Sequence, residues 1–464
     1  MKSKRIPVAS KYRRELAFNK PDFFHSENVL PFGTSPNMYN FDISSGALRA
    51  GYGTAVHVRV PERATRYFVY RFYSAKKGAY VEQYMFQWSN GLIQYYNPDS
   101  DRHVFLSNEF FPPVTAFNYR LNSVDTLFFT GANNKLVSWN GRDYYTYDSP
   151  SISSMALHYE RLFVTSVDEP TKVFFSDDLD PSNWNISSSG AGFIELLDER
   201  GSLNKVVSFG NYLYIFRDHG ISRVTASGDQ SEFSVTNLFV SAGRIYPSSV
   251  ITCGSVIVFL ASDGLYVFDG YECTRVLTQI DGLILPDDSC ACEYFDGKYY
   301  LACKMNFNDG KKVGCETGEY TTNGLLVYTP MSGEFSVSRG LNINYMHTCT
   351  YAGEDFLMCN EGGVGCVIAR TGARRGVPLE KHWESAPTDF SSPKTKHIQS
   401  VTSDSKTPFT ITFKSNGNAL STELDGSSRT KSVDFSGEVV SLEIDTDEAE
   451  PDIPPPTITY AVYK

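Results

Sequence analysis

Short apolar runs separated by turn residues recur along most of the chain, and they predict β-strands. The most regular examples are VVSFGNYLYIFRDHGISRV (206–224) and SVITCGSVIVFLASDGLYVFDG (249–270), in which Gly, Asp or Asn stands between the apolar runs. No long segment places apolar residues at the i, i+3, i+4, i+7 spacing of an amphipathic helix between recognisable caps. The pattern therefore predicts an all-β protein.

The apolar runs belong to a unit that repeats. Further copies lie at 290–328, which holds an inserted loop, and at 347–368, and weaker ones at 84–97, 114–141 and 152–177. One turn residue in each copy serves as a ruler: Gly91, Lys135, Lys172, Gly220, Gly264, Gly324 and Gly365. Their successive spacings are 44, 37, 48, 44, 60 and 41 residues, and propeller blades span ~40–45 residues.

This period favours a β-propeller over other repeat folds. A single four-stranded blade cannot bury both of its faces, so it needs a neighbour on each side, and radial packing supplies both. A β-solenoid would need a period near half this length, and two stacked sandwiches would not explain the regular spacing. We therefore predict a propeller of about seven four-stranded blades, with six or eight as alternatives.

Two regions lie outside the repeat, which gives three predicted units. Residues 57–379 form the propeller, residues 1–56 an extended N-terminal arm that is rich in Gly, Asn and Pro, and residues 380–464 a small C-terminal β module. The module contains the alternating runs PFTITFK, KSVDFSG, VVSLEID and TITYAVY. A strand from this module is a candidate for closing the ring of blades.

The net charge of the chain argues against a protein that binds nucleic acid. The sequence has 42 basic and 53 acidic residues, a net charge of −11, whereas proteins that bind DNA phosphates are usually basic. Residues 1–20 are nonetheless basic and residues 438–464 acidic. These ends are either solvated, or an arm of one subunit docks on an oppositely charged neighbour. In the second case, deletion of residues 1–14 leaves the fold intact and weakens assembly.

Targeting signals and reactive cysteines are not indicated. The basic N-terminus lacks a following apolar region, and no run approaches the ~18 apolar residues of a membrane span, so we expect cytoplasmic assembly without membrane insertion. All nine cysteines fall between Cys253 and Cys366, mostly inside apolar runs. They are interpreted as reduced core residues rather than disulfides or metal ligands.

Enzyme motifs do not stand out in the sequence. There is no G-x-S-x-G, H-E-x-x-H, Walker A or strand-following G-x-G-x-x-G motif, and the eight histidines are scattered singly, as expected for surface or strand-turn residues. Ser176, Asp178 and Trp184 in FFSDDLDPSNW resemble the Asp-box of sialidase propellers, which is itself a turn-stabilising element. Acidic pairs such as Asp445/Asp447 are interpreted as solvated turns. We therefore predict no enzyme and no catalytic, cofactor-binding or metal-binding residues.

Several strings, taken in order, resemble one known family. They are SPNMYNFDISSGALRAGYG near the start, FFSDDLDPSNW, LNKVVSFGNYLYIFRDHGISRV, IVFLASDGLYVFDG, and HWESAPTDFSSPKTK near the C-terminus. Together they resemble the β-propeller tail proteins of short-tailed bacteriophages, which comprise tail nozzle, hub and packaged-DNA-stabilisation proteins. The matches spread over residues 28–396.

The resemblance implies a structural virion protein of a phage tail, assembled in the host cytoplasm. Such proteins form a ring, commonly sixfold, with the portal, its adaptor and other tail proteins as partners, and double-stranded DNA passes through without specific binding. An acidic lumen would keep DNA from adhering. The alternatives are a host-facing carbohydrate-binding or glycan-cleaving propeller, and a cellular scaffold propeller. Candidate subunit or lumen contacts are Lys4, Arg5, Arg13, Arg14, Asp309, Lys311, Lys312, Arg374 and Arg375.

Overall fold

The fold of the chain is built from β-strands. The computed structural model describes residues 9–57, 60–88, 90–97, 102–107, 116–307, 322–351 and 354–463. Within these ranges the helical elements are five single-turn 3₁₀ helices, η1 (Glu27–Val29), η2 (Ala132–Asn134), η3 (Gln230–Glu232), η4 (Pro247–Ser249) and η5 (Thr278–Ile280). The all-β prediction is confirmed.

The N-terminal segment contributes one long strand and four short ones. They are β1 (Ala9–Glu15), β2 (Met38–Tyr39), β3 (Phe41–Asp42), β4 (Leu48–Ala50) and β5 (Gly53–Ala55). Strands β1, β2, β4 and β5 each pair with a strand from far along the chain, and β3 pairs with β4.

The first four blades are antiparallel sheets whose strands pair in sequence order. Blade 1 is β6 (Ala64–Ser74), β7 (Ala79–Trp88), β8 (Ile93–Asn97) and β9 (Arg102–Ser107); blade 2 is β10 (Phe117–Leu121), β11 (Val124–Thr130), β12 (Leu136–Trp139) and β13 (Tyr144–Thr146). Blade 3 is β14 (Ile152–His158), β15 (Arg161–Ser166), β16 (Lys172–Phe175) and β17 (Gly192–Glu195); blade 4 is β18 (Leu203–Phe209), β19 (Tyr212–Arg217), β20 (Gly220–Thr225) and β21 (Ser234–Val240).

Three more blades follow the same plan. Blade 5 is β22 (Ile251–Cys253), β23 (Val256–Ala261), β24 (Gly264–Phe268) and β25 (Cys273–Val276); blade 6 is β27 (Ala291–Phe295), β28 (Lys298–Met305), β29 (Gly324–Thr329) and β30 (Glu334–Arg339), with β26 (Ile284–Leu285) also pairing with β28. Blade 7 is β31 (Ile343–Tyr351), β32 (Glu354–Glu361) and β33 (Val364–Ala369). Its sheet continues through β5 to β34 (Ala373–Arg374) and β35 (Val377–Pro378).

Turn chemistry fixes the hairpins inside the blades. Asp296 and Gly297, between β27 and β28, both have positive φ (47° and 75°), as a two-residue hairpin turn requires. Only Gly, Asn and Asp adopt this conformation readily, so such turns are visible in sequence. All seven ruler residues lie within two residues of the start of the third strand of a blade. The blade count predicted from their spacing is confirmed.

Seven apolar clusters, one at each blade–blade junction, hold the propeller together. Strand β19 shows how a blade serves two junctions, because alternate side chains point to opposite faces of a strand. Leu213 and Ile215 pack towards blade 3, whereas Tyr214 and Phe216 pack towards blade 5. The cluster between blades 7 and 1 completes the circle.

The ring is closed by the N-terminal segment. Strand β5 supplies the fourth strand of blade 7, with Val367, Ile368 and Ala369 opposite Ala55, Thr54 and Gly53. The prediction that a strand of the C-terminal module closes the ring is therefore wrong. A three-residue strand carries too little periodicity to be recognised in sequence.

The C-terminal module is a two-sheet sandwich, and the N-terminal segment contributes strands to both sheets. Its strands are β36 (Lys381–Glu384), β37 (Lys396–Thr402), β38 (Phe409–Ser415), β39 (Asn418–Leu424), β40 (Thr430–Gly437), β41 (Ser441–Thr446), β42 (Asp452–Ile453) and β43 (Thr457–Tyr463). One sheet has the order β1-β43-β37-β40 and the other has the order β2-β36-β41-β38-β39. A third, three-stranded sheet has the order β3-β4-β42. Trp383 is fully buried in the shared core and meets the ring of Phe18 edge-on at 5.0 Å.

Strand β1 is part of this sandwich rather than a detachable arm. Its seven residues pair continuously with β43, and the following Leu16 is buried in the module core. Removing residues 1–14 would uncover the edge of β43 and loosen that core. The structure thus revises the expectation that this segment is dispensable for folding.

The cysteines of the described residues are free. Burial raises the pKa of the Cys303 and Cys359 thiols well above the ordinary value, which keeps both protonated and unreactive. Six of these eight are buried, and Cys273 and Cys292 are half-buried. Cys315 lies outside the described residues.

His158 lies at the strand-turn position that ends β14, but it is only 2% exposed, with Nδ1 2.9 Å from Ser208 Oγ. Burial lowers its pKa from 6.5 to about 4. The unfolded chain therefore takes up this proton first, and the free energy of unfolding falls by about 3 kcal/mol between pH 6.5 and pH 4. Urea unfolding at several pH values should show a shallower acid dependence for His158→Gln; an identical dependence would contradict this assignment.

Candidate functional site

A central channel of about 1410 Å³ runs between the blades. It is lined mainly by β6, β10, β14, β18, β22, β27 and β31, the first strand of each blade. Every blade therefore contributes side chains to one shared space. Small-molecule sites are about 300–1,000 Å³, so this channel is larger than a typical small-ligand site.

The channel is balanced in charge. Its charged lining residues are Arg66, Arg71 and Lys205 on the basic side, Glu82, Asp288 and Glu293 on the acidic side, and His347. Serine, threonine and asparagine side chains from β14, β18, β22 and β31 fill much of the remaining lining. Such a surface offers hydrogen bonds of both polarities to a small polar molecule.

The most organised part of the channel lies where blades 6, 7 and 1 meet. His347 Nδ1 is 3.6 Å from Glu293 Oε2, and the guanidinium of Arg66 stands 4.2 Å over the ring of Tyr345. Tyr345 donates a hydrogen bond to the Tyr67 carbonyl at 3.4 Å, and burial raises its pKa to about 12, so it remains a neutral donor.

This channel cluster was missed in the sequence analysis because its members are far apart in the chain. A usable signal was present, since Arg66, Glu293, Tyr345 and His347 all lie on first strands, and in a propeller the first strands line the axis. Combining the blade register with residue chemistry would have grouped them.

The residues predicted to contact other subunits or the lumen lie in different environments in the structure. Arg13 and Arg14 lie exposed on β1, and Arg14 stands 5.5 Å over the ring of Phe32. Arg374 and Arg375 are engaged within the chain, because both ion-pair with the fully buried Glu361 at 2.7 and 2.9 Å. The other five candidates lie outside the described residues: Lys4, Arg5, Asp309, Lys311 and Lys312.

The Asp-box-like string is a turn-stabilising element. Ser176 Oγ accepts a hydrogen bond from the Leu162 amide at 3.0 Å, and Asp177 Oδ1 accepts one from the Gly190 amide at 2.8 Å. Trp184 packs at the junction of blades 2 and 3. Asp178, which the motif alignment singled out, is exposed, so the stabilising carboxylate is the preceding Asp177.

Blades 1 and 2 carry an exposed aromatic–basic patch, formed by Arg71, Tyr73, Tyr80, Arg120 and Val124. The rings of Tyr73 and Tyr80 meet edge-on at 5.6 Å, and the Arg71 guanidinium is 5.3 Å from the ring of Tyr80. Both tyrosines are about half exposed (51% and 50%). Exposed tyrosine next to arginine is the composition found at the centres of protein interfaces.

The C-terminal module has the opposite charge. Residues 416–452 contain ten acidic residues (Glu423, Asp425, Asp434, Glu438, Glu443, Asp445, Asp447, Glu448, Glu450, Asp452) and two basic ones (Arg429, Lys431), which gives 2 − 10 = −8. Most of the net charge of −11 is therefore concentrated in this acidic segment.

Comparisons with known proteins assign no family to the chain. No protein-family model and no curated protein matches the chain. One similar solved structure is the BBS1N chain crystallised in complex with ARL6DN, with 11% identity, a TM-score of 0.41, and coverage of 69% of this chain and 95% of that one. No helix among the described residues has the length and hydrophobicity needed to cross a bilayer.

Proposed function

We propose that this protein is a structural component of a bacteriophage tail that assembles as a ring, most simply a hexamer, below the portal and its adaptor. The ordered series of strings in residues 28–396 that resembles the short-tailed phage propeller proteins supports this proposal. In this role the protein is not an enzyme, and its function is to join neighbours and to frame the DNA exit path in the virion.

The observation that supports the ring assembly is that two parts of one chain differ in charge. The aromatic–basic patch and the acidic segment have opposite charge, so the patch of one subunit can dock on the segment of the next. A contact between two different surfaces is heterologous, and when its rotation closes it generates a ring. Charge complementarity of this kind fixes partner and register.

In this proposal the DNA path is the axis of the subunit ring and not the channel of a single propeller. The lining of the propeller channel is balanced in charge, with Arg66, Arg71 and Lys205 against Glu82, Asp288 and Glu293. The negative net charge of the chain, −11, is instead the source of the potential that keeps DNA from adhering during passage. DNA then passes without base-specific contacts.

The ring contact can be tested on the patch itself. We expect the wild-type protein to form a closed oligomer, alone or on a portal–adaptor complex, in light scattering and negative-stain images. The double variant Tyr80→Ser/Arg120→Glu should be mostly monomeric, since interface centres contribute ~2 kcal/mol or more per residue, about 30-fold in dissociation constant.

Tyr271→Ser is the matched control, because Tyr271 is 68% exposed on blade 5, away from the patch. It should assemble like the wild type. A wild-type protein that stays monomeric at all concentrations and also with the portal–adaptor complex would overturn the proposal.

A second candidate is a host-facing carbohydrate-binding propeller, which the polar channel favours. Its hydroxyl and amide lining and the Glu293–His347 pair resemble the polar groups that bind sugar hydroxyls. A monomer that binds glycans in an array, with binding lost in Glu293→Gln, would support this candidate over the ring.

A further inference from the structure

The outer face of the five-stranded sheet in the C-terminal module carries a cluster of imidazole and carboxylate groups. In the pairing of β36 with β41, His382 lies opposite Asp445 and Glu384 lies opposite Glu443. The intervening residues Trp383 and Ile444 point into the sandwich core. The four polar side chains therefore share the opposite face.

Three of these residues approach each other closely enough to share a ligand. One potential donor atom each from His382, Glu384 and Glu443 lies within 4.8 Å of the other two. Metal–ligand bonds to imidazole nitrogen and carboxylate oxygen are about 2.0–2.2 Å long, so small side-chain adjustments bring all three donors onto one ion.

The histidine is held in the manner of a metal ligand. His382 Nδ1 is 2.7 Å from Asp445 Oδ1, so the tautomer with its proton on Nδ1 donates to this carboxylate and leaves the Nε2 lone pair for a ligand. Metal-binding histidines almost always donate their second nitrogen to such a partner, which fixes the tautomer and the ring. The ring of Tyr39 stacks on the His382 ring at 5.3 Å and restrains it further.

The cluster has an excess of negative charge. Lys414 pairs with Oε1 of Glu443, which leaves the charges of Glu384 and Asp445 around one histidine. The side chain of His382 is only 11% exposed and that of Glu443 only 15%, so water screens this excess poorly. A bound cation would neutralise it.

We propose that His382, Glu384 and Glu443 bind one divalent transition-metal ion, with Zn²⁺ as the best-fitting species. One nitrogen and two carboxylate oxygens suit zinc, whereas Mg²⁺ and Ca²⁺ prefer all-oxygen sites. Asp445 is the positioning residue for His382. The ion joins β36 to β41 within the module, next to Tyr39, whose ring is buried in the core between blades 5 and 6.

The sequence analysis predicted no metal site, since His382 and Glu443 are 61 residues apart and show no ligand spacing. The antiparallel pairing of β36 with β41 is what brings them together. The proposal is independent of the proposed tail function.

The test is zinc binding by the full-length protein after treatment with EDTA. We expect calorimetry with ZnCl₂ and elemental analysis to give one Zn²⁺ per chain, and Zn²⁺ to raise the melting temperature. Glu384→Gln and His382→Gln should weaken binding by at least about tenfold, and Asp445→Asn by about 10–100-fold through loss of the orienting contact. Circular dichroism checks that each variant is folded.

His397→Gln is the matched control, because His397 also lies near a carboxylate, Asp434 at 3.7 Å, but on the other sheet of the module. It should bind zinc like the wild type. Two results would overturn the proposal: no stoichiometric zinc in the wild type, or folded Glu384→Gln protein that binds zinc as tightly as the wild type.

Discussion

Removal of residues 1–57 is expected to abolish cooperative folding of the whole chain. The deletion takes away the fourth strand of blade 7 and also Leu16, Met38, Phe41 and Leu48, which are buried in the core of the C-terminal module. Each large buried apolar side chain is worth ~2–5 kcal/mol on truncation, and whole proteins are stable by only ~5–15 kcal/mol. The loss therefore exceeds the stability available.

Calorimetry and solubility after expression measure this effect. Gly53→Val tests the closing strand alone, because a Cβ at Gly53 would lie 2.1 Å from the carbonyl oxygen of Ala373. It should lower the melting temperature without removing any core residue. A deletion of residues 1–57 that still melts cooperatively near the wild-type temperature would refute the interlocked architecture.

The blades could be predicted from sequence because their determinants are local. Each blade has apolar strands of five or more residues, and turns such as Asp296-Gly297 require residue types with positive φ. Seven such units at nearly constant spacing leave few alternatives, and the seven junction clusters follow from the alternation within each strand. The repeat period therefore predicted both the number of blades and the way neighbouring blades pack.

The closure of the ring could not be predicted because its determinants are not local. Strand β5 has three residues, and its partner β33 lies more than 300 residues further along the chain. The same holds for the candidate sites: Arg66 and Tyr345 in the channel, and His382 and Glu443 in the module, meet only through tertiary pairing. The sequence shows the side-chain type of each of these residues, but it does not show which residues lie next to them in the fold.

The arginines at 374 and 375 show how charge alone misleads. Two adjacent exposed-looking cations were interpreted as subunit or lumen contacts. In the structure both pair with the buried Glu361, and the Arg375 amide also donates to the Thr54 carbonyl on the closing strand at 2.7 Å. They therefore fasten β5 into blade 7.

Glu361→Gln is expected to destabilise the protein by about 3 kcal/mol, because removing one partner of a buried ion pair leaves the other charge without compensation. Glu361 is fully buried at the end of β32, and Arg374 Nε also donates to its Oε1 at 2.8 Å. Glutamine keeps the size of the side chain and removes only the charge. Both arginines then face a neutral amide beside the strand that closes the ring.

Urea unfolding gives the free energy, and Asp404→Asn is the comparison for a solvated pair. Asp404 and Arg429 are 3.5 Å apart but 72% and 84% exposed, so their loss should cost no more than ~1 kcal/mol. If Glu361→Gln were as mild as Asp404→Asn, the ion pairs at Glu361 would not hold the closing strand. In that case closure would depend on the β5 backbone pairing and the apolar junction between blades 7 and 1 alone.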